Sequence, residues 1–211
     1  MLQCTMPSLM PVPLPDRPTR ALPSQTPGVY PVGLEGAFQC GDERLAIRPI
    51  RPTDEAAEAD FFAHLTPEDV RFRFFSALRQ LPPRLLFRLT HIDYVGEMAF
   101  VAERTSGEIV GVARLVRDPD ASNGEYAVAI RPDMKGHGLA NHLMGRVLDW
   151  GRSQGMTHVH AMILADNGPM IAFARKLGGR LKRDPQDSSV VRVEMLLTEP
   201  DQPSRGLSPP G

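Results

Sequence analysis

Three strand-like runs follow one another in the middle of the chain: "EMAFVAER" (97–104), "EIVGVARLVRD" (108–118) and "GEYAVAIRP" (124–132). Short turns at Ser106-Gly107 and Ser122-Asn123-Gly124 separate them, and such brief connections favour antiparallel neighbours. The third run leads straight into "RPDMKGHGLANHL" (131–143), after which the period changes. Leu139, Leu143, Val147 and Trp150 recur at helical spacing with polar residues between them. A chain patterned in this way has to build a sheet and then lay a helix across it.

The flanking segments extend that plan. "LAIRPI" (45–50) alternates like a strand, and "PTDEAAEADFFAHL" opens a helix with Thr53 or Asp54 as N-cap. "PEDVRFRFF" and "PPRLLFRLTHI" read as short helices, each opened by proline. Beyond the central helix, "HVHAMIL" is a strand, "NGPMIAFARKLG" a helix closed by glycine, and "VVRVEML" a last strand. The order is β, helices, βββ, α, β, α, ββ, which describes an α/β mixed sheet with helices on its faces. Residues 1–42 hold eight prolines and show no apolar period, so they are expected to form a disordered or loosely draped arm. The tail from Glu199 to Gly211 is expected to behave in the same way. One domain of ordinary size, 43–198, remains.

Bulk properties exclude several classes. A formal net charge of -1 gives no global reason to expect nucleic acid or a membrane surface as partner. No apolar run approaches the roughly 18 residues that a bilayer span requires. The N-terminal stretch lacks a basic start, and its prolines interrupt any apolar core, so it is a poor signal peptide. Cys4 and Cys40 form no CxxC pair and read as spare thiols. A cytoplasmic protein without a structural metal is expected.

The loop Lys135-Gly136-His137-Gly138 carries the functional question. The first turn of a helix presents unpaired N–H groups and about half a positive charge, and glycine lets an anion approach the main chain. A phosphate cradle and an ordinary strand–helix turn are equally compatible with these residues. The P-loop pattern GxxxxGK[ST] is absent. A dinucleotide GxGxxG fails because Asn141 holds the third glycine position, although Asp166 could mimic its ribose-binding acid.

"KGHGLA" resembles the acetyl-CoA-binding motif (Q/R)xxGx(G/A) of the GCN5-related N-acetyltransferase (GNAT) superfamily. Lys135 takes the first position, in place of Gln or Arg, with Gly138 the fourth and Ala140 the sixth. "LTPEDVRFRFFS", "LTHIDYVGEMAFVAE", "GVARLVRDPD" and "NGPMIAFARKLGG" further resemble the acetyltransferase domain of bacterial Pat-type protein-lysine acetyltransferases. The resemblance implies a GNAT-like fold, a mostly antiparallel central sheet with a strand–helix–strand coenzyme-binding unit. It also implies transfer of an acetyl group from acetyl-CoA to an amine. Lys135, Gly136, His137, Gly138, Leu139, Ala140 and Asn141 would hold the pyrophosphate. Ala129, Ile130 and Arg131 would lie along the pantetheine arm, with the Ala129 N–H on the developing oxyanion. Asn167 would contact the same arm, while also serving as an N-cap for the helix that follows.

Such a reaction needs a base. A lysine amine with a pKa near 10.4 is neutral about once in 2,500 molecules at pH 7, and freeing it costs roughly 4–5 kcal/mol. Glu125 is the candidate. Strand alternation puts it on one face with Ala127 and Ala129, while Tyr126, Val128 and Ile130 face the other way. From Glu125 to Ile130 the strand covers about 16 Å, the scale of an extended pantetheine arm. By itself Glu125 reads more readily as a surface carboxylate beside a turn. Its place ten residues before Lys135 matches the base-to-loop spacing of the family.

Other features are less specific. Many family members have a tyrosine seven residues after the asparagine as acid for the leaving thiolate, but Ala174 stands there, and Tyr94 and Tyr126 do not match the slot. His158 and His160 share a strand face, and without a third ligand they read as structural. Arg71, Arg73, Arg79, Arg84 and Arg88 make a locally basic helical region, either a solvated face or a dock for an acidic acceptor protein. Three functions compete: protein-lysine acetyltransferase, small-molecule N-acetyltransferase acting on a polyamine, amino acid or antibiotic amine, and non-catalytic acyl-CoA-binding module.

Overall fold

The computed structural model describes residues 28–119, 122–183 and 187–197. Eight strands form one sheet in the order β1-β2-β3-β4-β5-β6-β8-β7. They are β1 (Gly36–Cys40), β2 (Glu43–Pro49), β3 (Glu97–Glu103), β4 (Ile109–Arg117), β5 (Asn123–Ile130), β6 (His158–Leu164), β7 (Arg180–Arg183) and β8 (Val190–Leu196). Five helices accompany them: α1 (Glu55–Ala63), α2 (Pro67–Phe74), α3 (Pro83–Thr90), α4 (Leu139–Ser153) and α5 (Gly168–Lys176). The three runs at the centre pair antiparallel as their short turns require. β3 and β4 are buried almost throughout, which explains why they read as apolar runs with little alternation.

The two faces of the sheet hold two cores. On one, Leu139, Leu143, Val147 and Trp150 of α4 pack on Phe100, Leu115 and Tyr126, so the helical stripe seen in the sequence is the buried one. On the other, Phe61, Phe62, Val70 and Leu89 from α1, α2 and α3 cover Val101 and Val112. The second core positions the helices that overlie Glu125, Ala127 and Ala129.

One boundary is corrected. Residues 1–42 were expected to form an arm, yet Gly36–Cys40 is a strand paired to β2 from Gly36↔Ile47 to Cys40↔Glu43. The hairpin turn at Gly41 has φ +61, and Phe38 and Cys40 pack onto the α4-side core, so the ordered region starts before residue 43. Ala37, Phe38 and Cys40 are too few and too unevenly spaced in a five-residue strand to show a period. Residues 1–27 of the arm and the tail 199–211 lie outside the described residues. Cys40 is a free, buried thiol, pushed up by burial.

The N-cap expectation is also refined. Asp54 sits at the start of α1 but makes no side-chain cap bond there. Its carboxylate instead receives Arg48 Nη1 at 2.7 Å, Arg48 Nη2 at 3.0 Å and the Arg51 N–H at 2.7 Å. Glu103 takes the other side of the same guanidinium, with both bonds at 2.8 Å. Asp54→Ala leaves a buried guanidinium half-compensated and should cost about 3 kcal/mol in urea unfolding. Exposed Thr53→Ala should cost about 0.5 kcal/mol or less.

Candidate active site

The site begins with a missing ladder. β5 pairs with β4 from Gly124 to Ile130, and β6 pairs with β8 along its whole length. Between themselves, β5 and β6 pair in parallel only at Asn123↔His158, Gly124↔Val159 and Glu125↔His160. Past that rung the strands diverge, and the facing edges of Tyr126–Ile130 and Ala161–Leu164 are left without each other. Main-chain polar groups inside a sheet are rarely left unpaired. A gap of this kind suits an extended ligand that supplies the missing hydrogen bonds, as an added strand would.

The ladder also decides which groups face the gap. Arg131 N donates to Val110 O and Asp118 N to Asn123 O, both at 2.9 Å. Main-chain groups alternate sides along a strand, so Glu125, Ala127 and Ala129 turn theirs toward β4, while Tyr126, Val128 and Ile130 turn theirs toward the gap. Two expectations are corrected by this. The Ala129 N–H points at its register partner Val112, away from any thioester. Arg131 is committed elsewhere: its C=O accepts from Met134 N, and its guanidinium meets Asp133 and Glu108. Ile130, expected along the arm, turns its main-chain groups toward the gap, and Val128 does the same. Val128 was missed because side-chain alternation was followed without the main-chain alternation that accompanies it.

At the wide end of the gap lies the glycine loop. Gly136 and Gly138 have φ +85 and +82, a left-handed conformation that costs other residues strain. A Cβ on Gly136 would meet no protein atom within 4 Å, so the glycine keeps open space clear on the loop's outer side. His142 N makes the first helical bond of α4, to Gly138 O. The N–H groups of Gly136, His137, Gly138, Leu139, Ala140 and Asn141 therefore have no partner among the described residues. Six consecutive donors at a helix N-terminus form an anion cradle. The Leu139 side chain is buried in the core, so only its main chain can serve a ligand. The Lys135 ammonium is 2.7 Å from Asp69 Oδ1 on α2.

Asn167 stands across the gap. Its Oδ1 accepts from Met170 N at 3.1 Å, capping α5 as expected, and its amide nitrogen has no partner among the described residues. Beside it Arg71 reaches from α2 to Asp166 at 2.6 Å, so Asp166 answers α2 where a ribose-binding acid was considered.

The face that carries Glu125 is roofed by α1, α2 and α3. Under this roof Glu58, Phe61, Phe62, Leu65, Arg73 and Ala127 are among the groups lining a cavity of about 20 Å3, room for about one water molecule. Glu58 is buried and its Oε2 has no partner among the described residues. Burial pushes its carboxyl up, with Arg114 and Arg73 opposing. Arg73 is drawn down to about 10 by burial and by Arg114, while Glu58, Glu125 and Glu97 oppose that shift. It thus stays cationic at neutral pH. Arg114 donates to Glu97 and to Leu89 O. Sequence reasoning missed Glu58, although the signal was present: Glu58, Phe61, Phe62 and Leu65 share one helical stripe, and a lone acid on such a stripe is out of place.

The basic region resolves unevenly. Arg73 points inward and Arg71 is paired, leaving Arg79, Arg84 and Arg88 exposed.

Comparison with known proteins agrees with this geometry. The model of the acetyltransferase (GNAT) family matches residues 63–179. The chain belongs to the GNAT acetyltransferase family. Its relative Acetyltransferase PA5475 of Pseudomonas aeruginosa is 36% identical over 156 residues, 72% of this chain and 84% of that one. The GNAT domain of S. lividans PAT superposes with a TM-score of 0.74 at 25% identity, covering 79% of this chain and 99% of that one. The acetyltransferase yncA from Salmonella typhimurium, solved with its cofactor acetyl-CoA, shares the GNAT fold at TM-score 0.59 and 19% identity, over 77% of this chain and 99% of that one. Among the described residues no helix is long and apolar enough to cross a membrane, and no His/Cys/Asp/Glu group could hold a metal ion.

The Glu58 environment makes a prediction with a definite sign. A carboxyl whose folded pKa is raised supports the fold while protonated and loses that support as pH rises through the folded value. Glu58→Gln should therefore gain thermal stability relative to the wild type as pH is raised from about 5 to 8, and the gap should close toward pH 5. Melting curves across that range check this, and a gap independent of pH would contradict it.

Proposed function

We propose that this acetyltransferase moves the acetyl group of acetyl-CoA to a lysine side chain of an acceptor protein, with Glu125 as general base. The observation that carries the reading is the Glu125↔His160 rung, where β5 and β6 part. A pantetheine arm lying between the strands, hydrogen-bonded to Val128 and Ile130, has its pyrophosphate at the six N–H groups of residues 136–141 and its thioester near that rung. Glu125, one residue from the opening, then stands beside the reacting carbon.

The resemblance to the S. lividans PAT domain supports a protein acceptor. The exposed Arg79, Arg84 and Arg88 give the outer face of the roof a positive potential, which steers an acidic acceptor surface.

In the reaction, the acceptor ammonium gives a proton to Glu125, and the freed amine attacks the thioester carbon. The C–N bond forms, the C–S bond breaks, coenzyme A leaves as a thiolate, and the nitrogen sheds its second proton to give the neutral amide.

Incubation with acetyl-CoA and a cell lysate, followed by acetyl-lysine mass spectrometry, tests this. Wild type should acetylate a set of protein lysines. Glu125→Gln should keep acetyl-CoA binding but lower the rate by about 10²–10⁴. An unimpaired Glu125→Gln enzyme would falsify the assignment of the base, and acetylation confined to small amines would move the acceptor to the small-molecule class. Arg84→Glu with Arg88→Glu should slow protein acetylation several-fold while sparing a small amine. Equal losses on both substrates would argue against docking through this face.

A further inference from the structure

The thiolate that leaves needs a proton, and the family's tyrosine slot cannot supply one. Ala174 is fully buried. The Tyr126 hydroxyl is buried on the α4 side of the sheet and pushed up to about 12 by that burial. The Tyr94 hydroxyl donates to Ile50 O at 2.8 Å. No tyrosine among these faces the reacting end of the gap.

The two histidines of β6, which the sequence alone left as structural, part company in the structure. His158 is exposed. His160 is the register partner of Glu125 on the last rung before the strands diverge. Paired residues on neighbouring strands point to the same face, so both side chains rise on the acceptor side at the apex of the gap. His160 Nε2 lies 2.8 Å from Asp118 Oδ2, just past the end of β4. The strand order is β4-β5-β6, so the imidazole has to cross over β5, which carries Glu125, to make that bond. A carboxylate accepts hydrogen bonds, so Nε2 carries the hydrogen and the tautomer is set. Nδ1 is left as the open position, shielded from solvent and without a partner among the described residues. Little of the imidazole is exposed, 13% of the side chain against 31% for Asp118.

We propose that His160, oriented by Asp118, carries the proton of the transfer from Glu125 to the leaving thiolate. This rests on Glu125 being the base. The atoms balance as follows. Glu125 takes one proton from the acceptor ammonium and passes it to His160 Nδ1 as the C–N bond forms. The C–S electron pair leaves on sulfur, which takes that proton from Nδ1 to become the free thiol. The amide nitrogen sheds its second proton to Glu125, which releases it to solvent, the one proton the overall reaction produces. His160 touches the reacting atoms, whereas Asp118 is a positioning residue. The other charged groups beside the imidazole are its register partners, Glu125 on β5 and Glu194 on β8, the latter engaged by Lys182 and Arg192.

Thiol-release kinetics on the full chain decide it. In thiol release from acetyl-CoA with lysate protein as acceptor, His160→Gln and His160→Ala should lose about 10–100-fold in kcat and keep their KM for acetyl-CoA. One limb of the pH–rate profile should disappear with them, and free imidazole should partly restore the alanine variant. Asp118→Asn should shift that limb by favouring the other tautomer. His160→Gln with wild-type rate and profile, beside an impaired Glu125→Gln, overturns the role of His160 alone. Full activity in Glu125→Gln overturns the base instead, and with it the path through His160.

Discussion

The candidate site of this molecule depends on three rungs of parallel pairing. A strand inside a sheet normally satisfies both edges, and β5 does so toward β4 along its length but toward β6 only as far as Glu125. The divergence leaves a row of main-chain donors and acceptors unmet by β6, and it sets one fixed apex. Because paired residues share a face, the apex places Glu125 and His160 side by side under the α1–α3 roof. At the other end it delivers the chain into the glycine loop and the N-terminus of α4. Cradle and apex are thus held by one continuous strand, about 16 Å long at the usual rise, which lends the site its rigidity.

The roof is electrostatically expensive, and its charges are arranged to keep that cost tolerable. Arg48 is buried but held by Asp54 and Glu103. Arg114, Arg73, Glu58 and Glu97 form a second inward-facing group in which opposite charges alternate. Buried charges of this sort seldom add stability compared with apolar packing. Glu58, Arg73 and Arg114 line the cavity under the roof, beside Ala127 of β5. Active sites commonly give up stability for such chemistry.

The regular elements were legible because each has a period strong enough to survive in one dimension. The α4 stripe of Leu139, Leu143, Val147 and Trp150 and the runs of β3, β4 and β5 appear where their patterns lie. Gly136 and Gly138 were legible as a turn that tolerates left-handed backbone, and Asn167 as a cap. β1 was not legible, since five residues with three unevenly spaced apolar side chains carry no period. Arg71 and Arg73 differ by two residues on a short helix. Their separate fates, one paired with Asp166 and one turned in toward Glu58, depend on what lies beneath α2.

By itself, then, the sequence determined the mixed sheet, the crossing helix, the glycine loop and the carboxylate ten residues before it, because local propensity and apolar periodicity are properties of neighbours along the chain. Only the tertiary structure decided that β5 and β6 part after Glu125. It also decided that Val128 and Ile130, and not Ala129 or Arg131, face the gap, and that His160 crosses β5 to reach Asp118. These are properties of register, and register is set by which strands pair and where that pairing stops, over separations of tens of residues that no local pattern encodes.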